Sequence, residues 1–326
     1  MIRPYNEARR LSGNLQATRL LTLDGESVRL RTVRNCPVCA SGKTRSYGQV
    51  EIELERTPIV LNYDECNSCG TAFQNPTLTR TARRLLYDAN YMKAYGSDRV
   101  NLSDPNEQIW RSILSDNRFQ ALLGIMPSLP KTYLDVGFGF GTSLETAALY
   151  GIHASGIEVS SSAWQNAQQR GLNVFNGEMA SALREGFIKP GSIDFITAWD
   201  VVEHYDDLSR ELGLLREALR PKGMLYLHTP DFSTEDTENK HRYFSLDHRL
   251  LFSRNSLRNL LEANGFTVLQ CVPSQQIGDP RQDIHPSILS DPRFPDAREY
   301  VMKKSPMLID GHWHIGLLAT TPSGQS

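Results

Sequence analysis

The residues with the clearest chemical potential are two cysteine pairs, each with the spacing Cys-x2-Cys. Cys36 and Cys39 form the first pair, Cys66 and Cys69 form the second, and the fifth cysteine, Cys271, stands apart. Two such pairs supply four thiolates, which complete a tetrahedron around one metal ion and leave no open position. We therefore predict a structural zinc site. An iron–sulfur centre or a redox dithiol is the alternative, but the clustered spacing or βαβ context of those centres is missing.

A glycine-rich segment, LDVGFGFGTS, is the second feature with chemical potential. Gly137, Gly139 and Gly141 are spaced GxGxG, whereas the dinucleotide fingerprint needs its third glycine at the position of Thr142. Asp135 precedes the first glycine. A carboxylate at this point repels phosphate and suits a cationic ligand. The segment therefore favours a nucleotide other than NAD, and a plain strand-to-helix turn is the alternative.

Further acidic side chains follow later strands. Glu158 ends the next strand, where a carboxylate can accept hydrogen bonds from both ribose hydroxyls. The segment AWDVVEHYDD places Asp200, Glu203 and His204 after another strand. Ligands of open α/β sheets bind at the carboxyl ends of strands, so these side chains should face a substrate. His204 suits proton transfer and Glu203 could orient it; a capped, solvated helix start is the alternative.

The elements that must position these residues alternate along the second half of the chain. Short apolar runs such as TYLDV, IDFITAW and GMLYLHTP are separated by helical patterns such as SLETAALYG and DDLSRELGLLREALR. This alternation predicts an α/β fold with a Rossmann-like, seven-stranded, mostly parallel sheet and helices on both faces. Strand-like sequence around the cysteine pairs predicts a small zinc-ribbon-like domain in front of it.

The predicted organisation has four parts. Residues 1–30 form a segment without an assigned role, 31–77 the zinc-binding domain, 78–127 a helical connector or lid, and 128–322 the α/β domain. The last of these carries a polar, proline-bearing insertion at about 273–311.

Composition limits the partners. The chain has 326 residues, 40% hydrophobic and 22% charged, and a formal net charge of -2. This balance is typical of a soluble globular protein and gives no general attraction to nucleic acid or anionic membranes. No run approaches the roughly 20 apolar residues that span a bilayer, and the start lacks a signal peptide. We expect a cytoplasmic protein with a small-molecule substrate and no nucleic-acid or membrane partner; the oligomeric state is not readable from the sequence.

These motifs, in this order, resemble class I S-adenosylmethionine-dependent methyltransferases. The match runs from about Lys131 to Pro230, and LFSRNSLRNLLEANGF extends it. The resemblance implies that Asp135 helps to place the methionine ammonium, that Glu158 binds ribose and that Glu178 lies near the adenine amino group. The implied cofactor-binding residues are Asp135, Gly137, Phe138, Gly139, Gly141, Glu158, Val159, Glu178, Met179, Trp199 and Asp200.

The cysteine pairs, followed by YDANYMKAY, resemble the branch with an amino-terminal zinc-binding domain. That branch includes deoxysugar C-methyltransferases and enzymes of antibiotic and surface-polysaccharide pathways, and tyrosines after the zinc domain help to form its pocket. The resemblance makes Tyr91 and Tyr95 candidate catalytic residues beside His204 and Glu203. An aromatic core stripe is the alternative for the tyrosines.

We therefore expect methyl transfer from S-adenosylmethionine to O or C of a small metabolite, such as a sugar or a secondary-metabolite intermediate, by in-line displacement. An RNA methyltransferase with a zinc recognition module is the alternative, although the net charge and the lack of Lys/Arg clusters disfavour it. A non-catalytic module that binds S-adenosylmethionine would predict a degraded cofactor site.

Two points stay open at this level. In ubiquinone-type O-methyltransferases the residues corresponding to Asp200, Glu203 and His204 can hold a divalent metal. Two histidine pairs are further candidates for a base or for ordinary polar loops: His241 with His248, and His312 with His314.

Overall fold

A computed structural model describes residues 21–23, 26–28, 30–54, 57–81, 105–233, 244, 247–274, 292 and 314–323. The strands in chain order are β1 (Leu21–Leu23), β2 (Glu26–Val28), β3 (Leu30–Arg31), β4 (Thr44–Leu54), β5 (Thr57–Cys66), β6 (Ala72–Gln74), β7 (Thr77–Leu78), β8 (Thr132–Val136), β9 (His153–Glu158), β10 (Val174–Asn176), β11 (Ile193–Trp199), β12 (Leu219–Pro230), β13 (Leu250–Leu251), β14 (Thr267–Pro273) and β15 (His314–Thr320). The helices are α1 (Pro105–Gly124), α2 (Thr142–Leu149), α3 (Ser161–Gln169), α4 (Met179–Arg184), α5 (Leu208–Ala218) and α6 (Arg254–Ala263), and a 3-10 turn covers Val202–His204.

The main sheet has seven strands in the order β10-β9-β8-β11-β12-β15-β14. Its strands run parallel except β15, which is antiparallel to both neighbours. The central strands are buried because helices cover both faces, which explains why TYLDV and IDFITAW read as continuous apolar runs. The predicted Rossmann-like, mostly parallel sheet is confirmed.

Helices α5 and α6 of the α/β part each have one buried apolar face and begin at a polar cap. In α5, Leu208, Leu212 and Leu215 are buried on one face, and the Asp207 carboxylate accepts a hydrogen bond from Arg210 N at 3.1 Å. Helix α6 begins at Ser253, whose hydroxyl accepts from the backbone N–H of the third helical residue. Asp207, an acidic residue that follows the Glu203–His204 segment, therefore caps the start of α5.

Helix α1, placed by the sequence in the connector, packs on the main sheet. Phe119 is 3% exposed and lies edge-on to Tyr133 of β8, with ring centroids 5.1 Å apart. This aromatic contact joins the second half of the connector to the α/β core.

A second, four-stranded sheet carries the cysteine pairs, in the order β13-β6-β5-β4. Its fourth strand comes from the α/β part of the chain: Leu250 and Leu251 pair antiparallel with Phe73 and Ala72. The two predicted domains thus share one sheet.

One expectation meets a different outcome, and others fall on residues that the structure does not describe. The helical pattern was expected to begin at Leu78, but Leu78 is 1% exposed and pairs with Leu30 in a short strand, because burial of its side chain outweighs the local helical pattern. Residues 82–104, with Tyr91 and Tyr95, and most of the 273–311 insertion lie outside the described residues, as do His241 and His312. Across the described part of the chain, every helix is too short or too polar to cross a membrane.

Candidate active site

The glycine loop leaves β8 at the carboxyl edge of the main sheet. Gly137 has a φ of +73°, and a Cβ built there would lie 2.5 Å from Val201 Cγ2. Both the backbone conformation and this close approach exclude a side chain. The loop is therefore packed against the segment that follows β11, so the two regions form one site.

Glu158 ties this loop to the neighbouring strand. Its carboxylate, 4% exposed, accepts hydrogen bonds from the backbone N–H groups of Gly139 at 3.0 Å and Ser160 at 2.8 Å. Desolvation raises the pKa of Glu158, although these backbone bonds oppose the shift. The residue predicted to bind ribose also fixes the loop that precedes it.

Asp135 lies deeper, at 2% exposure, inside β8. It accepts a hydrogen bond from the Ser143 hydroxyl and one from Thr197 Oγ1 at 2.8 Å. Desolvation, and to a lesser extent the charge of Glu158, raises the pKa of Asp135 to about 7, against the opposing effect of these two hydrogen bonds. Two buried, mutually repelling carboxylates fit a ligand with a positive charge and hydroxyl donors, which are the chemical features of S-adenosylmethionine.

The other predicted cofactor residues surround the same edge. Val159 is 43% exposed, Met179 is buried at the start of α4, and Phe138 is buried in the loop. Glu178 forms an ion pair with Arg80, which follows the second sheet. Trp199 packs between Tyr226 and His228, with centroid distances of 4.8 and 5.1 Å. The roles of these residues toward a cofactor stay predictions.

Asp200 turns away from the residues that follow it in sequence. Its φ is +54°, its N–H donates to the His228 carbonyl at 2.8 Å, and its Oδ1 lies 3.1 Å from His228 Nδ1 and 3.8 Å from His314 Nε2. Surrounding atoms raise its pKa by desolvation, but the positive potential and hydrogen bond of His228, with His314 and Arg118, outweigh this and lower the pKa below its usual range. Asp200 is therefore ionised at neutral pH.

Glu203 and His204 instead meet His248, and we call these three residues the Glu203 cluster. Glu203 is fully buried; its Oε2 accepts from Thr229 Oγ1 at 2.9 Å, while its Oε1 has no hydrogen-bond partner in the part of the chain that is described. His204 Nδ1 lies 2.8 Å from the Asp247 carbonyl oxygen, and its ring centroid lies 5.2 Å from that of His248.

Burial, and then the charge of Asp200, raises the pKa of Glu203 well above its usual value and so favours the protonated acid. The oxygen and nitrogen donors of the Glu203 cluster lie within 4.8 Å of one another, a set that fits a divalent cation. The sequence had grouped Asp200 with Glu203 and His204, and the structure separates them. The structure also adds His228 to the site. In the sequence, His228 could have been recognised as a polar residue near the carboxyl end of an apolar strand.

The four paired cysteines converge in the second sheet. Sγ–Sγ distances are 3.6 Å for Cys36–Cys69 and 3.5 Å for Cys39–Cys66, and all four sulfurs lie within 4.8 Å of one another. A tetrahedron with zinc–sulfur bonds of about 2.3 Å has edges of about 3.8 Å, so the four thiols fit one zinc ion.

The cysteine-bearing sheet supports the Glu203 cluster directly. The Tyr63 hydroxyl donates to the His248 carbonyl at 2.7 Å, and Gln74 N donates to the Arg249 carbonyl at 2.9 Å. Ser253 donates to the Cys69 carbonyl at 3.2 Å. The backbone of His248 and of the residue that follows it is thus held by the sheet that contains the cysteines.

Sheet order, glycine loop and buried acids together define the Rossmann-like fold of methyltransferases. Residues 110–271 match the family model of the "Methyltransferase domain", so the chain contains such a domain. The chain is 31% identical over 106 residues to a ubiquinone biosynthesis O-methyltransferase of Paraburkholderia xenovorans, covering 30% of this chain and 44% of that protein. A second protein of that name, from Cupriavidus pinatubonensis, is 24% identical over 165 residues, covering 44% of this chain and 66% of that protein.

A solved structure extends the likeness in fold. Phosphoethanolamine N-methyltransferase 2 of Haemonchus contortus, in complex with S-adenosyl-L-methionine, has a TM-score of 0.51 and 15% identity, covering 77% of this chain and 63% of that chain. At this identity the likeness concerns the fold. The chain also spans two thirds or less of the length of the two ubiquinone-pathway relatives.

The cysteine geometry predicts about one zinc per chain in metal analysis of the purified protein. Cys39→Ser should reduce the zinc content to near zero and lower Tm, since a three-thiolate site binds the ion far more weakly. Cys271→Ser is the matched control, because Cys271 lies in β14 outside the cysteine sheet. A metal-free, fully folded wild-type chain would contradict the zinc site.

The raised pKa of Asp135 predicts a pH effect on stability. Between about pH 4 and 7 the folded chain holds a proton on Asp135 that the unfolded chain has released, so the free energy of unfolding falls as pH rises through this window. Asp135→Asn should reduce the difference in Tm between pH 5 and pH 8. The exposed-side-chain substitution Glu185→Gln is the control. Equal pH dependence in Asp135→Asn and wild type would show that the predicted proton is absent.

Proposed function

We propose that the chain is an S-adenosylmethionine-dependent methyltransferase that methylates O or C of a small metabolite. The observation that carries the proposal is the pair of buried carboxylates, Asp135 and Glu158, around a glycine loop in a methyltransferase domain. The likeness to ubiquinone biosynthesis O-methyltransferases supports an oxygen acceptor in particular.

On the donor side, S-adenosylmethionine supplies a methyl group activated by a positively charged sulfur. Glu158 has two oxygens fixed by backbone donors, and each retains capacity to accept a further hydrogen bond from a ribose hydroxyl. Asp135 supplies negative charge beneath the loop, and a bound cation favours the ionised form of this acid. Both acids therefore prefer a cationic nucleoside over a pyrophosphate.

On the acceptor side, we assign the Glu203 cluster to binding and orientation. The Asp247 carbonyl fixes one nitrogen of His204, which holds the ring in one orientation beside His248. Because burial raises the pKa of Glu203 and favours its protonated form, we assign it as a hydrogen-bond donor rather than a general base. Alignment of the acceptor with the methyl group is the main contribution that an in-line transfer needs from the protein.

A divalent cation is the alternative occupant of the Glu203 cluster. Its support is the buried Oε1 of Glu203, an acceptor without a hydrogen-bond partner among the described residues. A cation there would lower the pKa of Glu203 and would suit an acceptor with two adjacent oxygens. Stimulation of turnover by added Mg²⁺ or Mn²⁺ would distinguish it from the hydrogen-bonding role.

The donor assignment predicts the affinities measured by titration calorimetry. Asp135→Ala should weaken S-adenosylmethionine binding by roughly tenfold or more, and Glu158→Ala by at least as much because the loop also loses its anchor. Glu185→Ala, on the surface, should bind like wild type. Unchanged affinity in both site variants, or tight binding of NADH by wild type, would overturn the assignment.

The acceptor assignment predicts different outcomes for two adjacent residues, once a screen with labelled methyl donor has identified an acceptor. His204→Ala should lower kcat by about 100-fold or more with the donor Kd unchanged, because the acceptor loses its fixed neighbour. Glu203→Gln should retain activity within about threefold, because a neutral amide resembles the protonated acid. A large loss in Glu203→Gln would show that the carboxylate acts in its ionised form.

A further inference from the structure

Asp200, His228 and His314 form a second group of titratable side chains, which we call the Asp200 cluster. We propose that this cluster receives the proton that the acceptor loses on methylation, with His314 as the residue that takes it. The role in turnover rests on the proposed methyl transfer. The proton-sharing arrangement itself is a property of the chain without donor or acceptor.

The cluster is assembled by three elements that meet at one edge of the main sheet. Asp200 follows β11, His228 lies in β12, and His314 begins β15, in register with Pro230. The carboxylate lies 3.1 Å from His228 Nδ1 and 3.8 Å from His314 Nε2. The two imidazole rings stack, with centroids 4.4 Å apart and planes tilted by 15°.

The members of the cluster differ in access. The side chains of His228, His314 and Asp200 are 3%, 27% and 51% exposed. The buried His228 is held from both sides, because the backbone and the carboxylate of Asp200 both contact it. His314, partly exposed, is the imidazole that a small molecule at this edge can reach.

The left-handed backbone conformation of Asp200 helps to position its carboxylate in this cluster. A non-glycine residue at φ +54° is strained by about 1 kcal/mol or more unless its surroundings hold it, and such strain concentrates at functional sites. Here the conformation directs the carboxylate toward the two histidines and away from Glu203 and His204. Aspartate and asparagine tolerate this conformation better than other side chains with a Cβ.

The Asp200 cluster and the Glu203 cluster differ in their electrostatics. An imidazolium is stabilised by an ionised carboxylate, as in an Asp–His pair, and not by a neutral acid. Asp200 is half-exposed and lies against two imidazoles, whereas Glu203 is fully buried and its pKa is raised by that burial, so Asp200 is the acid suited to stabilise an imidazolium. Among the described residues, Arg118 of α1 and Glu203 of the 3-10 turn are charged or titratable groups that face the cluster from its neighbours, in addition to its own members.

Sharing of a proton fits the ring geometry better than sharing of a metal. The three donor atoms lie within 4.8 Å of one another, but the lone pair of an imidazole nitrogen lies in the plane of its ring. Two planes tilted by 15° and stacked at 4.4 Å do not direct their lone pairs to one point. The same stacking makes a second proton unfavourable, because two imidazolium charges would face each other.

The step balances with one proton. The acceptor oxygen forms a bond to the methyl carbon as the sulfur–methyl bond breaks, and the electron pair of that bond stays on sulfur. The O–H proton passes to the neutral imidazole of His314. That ring becomes an imidazolium beside the Asp200 carboxylate, which stays ionised, and the proton then leaves to solvent from the exposed ring.

The test is histidine-selective ¹⁵N NMR of the zinc-loaded wild type, Asp200→Asn and His314→Gln, across a pH titration. In wild type, His228 should carry its proton on Nδ1, and His228 and His314 together should take up one proton near neutral pH. Asp200→Asn should lower the titration midpoint of His314 by about one pH unit or more. His153→Gln is the matched control, since His153 is exposed at the opposite end of β9.

A midpoint of His314 that is the same in wild type and Asp200→Asn would overturn the proposal. If one added equivalent of Zn²⁺ abolished the titration of both His228 and His314, the proposal would also be overturned, because this result would indicate a metal site. Once an acceptor is known, His314→Gln should remove the acidic limb of the kcat/KM pH profile while the donor Kd stays unchanged, and an unaltered profile would count against the proposal. If wild type does not bind the donor, the proposed function is wrong. The NMR titration would still test the proton-sharing arrangement on its own.

Discussion

Burial of carboxylates at the carboxyl edge of the main sheet is the constraint on which the site depends. An acid removed from water remains ionised only where a positive group or enough donors surround it. Asp135 and Glu203 are buried and their hydrogen bonds do not offset desolvation, so their pKa values rise, whereas the half-exposed Asp200 lies against two imidazoles and its pKa falls. One edge of the sheet thus holds acids whose pKa values shift in opposite directions.

The second sheet supports the part of this edge that holds the Glu203 cluster. Strand β13 comes from the α/β part of the chain, yet it pairs with β6 of the cysteine-bearing sheet. The contacts of Tyr63 and Gln74 with the backbone of His248 and Arg249 connect the cysteine cluster to the residues around His204. A zinc ion held by the four cysteines would therefore be connected to the Glu203 cluster through this sheet without contacting it.

The sequence predicted the main sheet well, because its strands are short apolar runs buried on both faces. IDFITAW and HIGLLAT correspond to β11 and β15 residue for residue. The convergence of the cysteines was also predictable, since two Cys-x2-Cys pairs are the usual spacing of a four-thiolate metal site. The grouping of the acids was not: Asp200, Glu203 and His204 are neighbours in sequence, and only the left-handed turn at Asp200 separates them. Pairings such as Leu250 with Phe73 join distant segments and leave no local pattern.

The β6–β13 pairing also affects the order in which parts of the chain fold. It limits how readily the amino-terminal module can be replaced. Its partners lie far apart in the chain, so loop closure over most of the α/β domain precedes it, and contacts of this kind form late in folding. An α/β domain cut free of the cysteine sheet would carry β13 as an unpaired edge, open to association with other chains. Grafting a foreign amino-terminal module onto this scaffold would therefore require a new partner strand as well as a new linker.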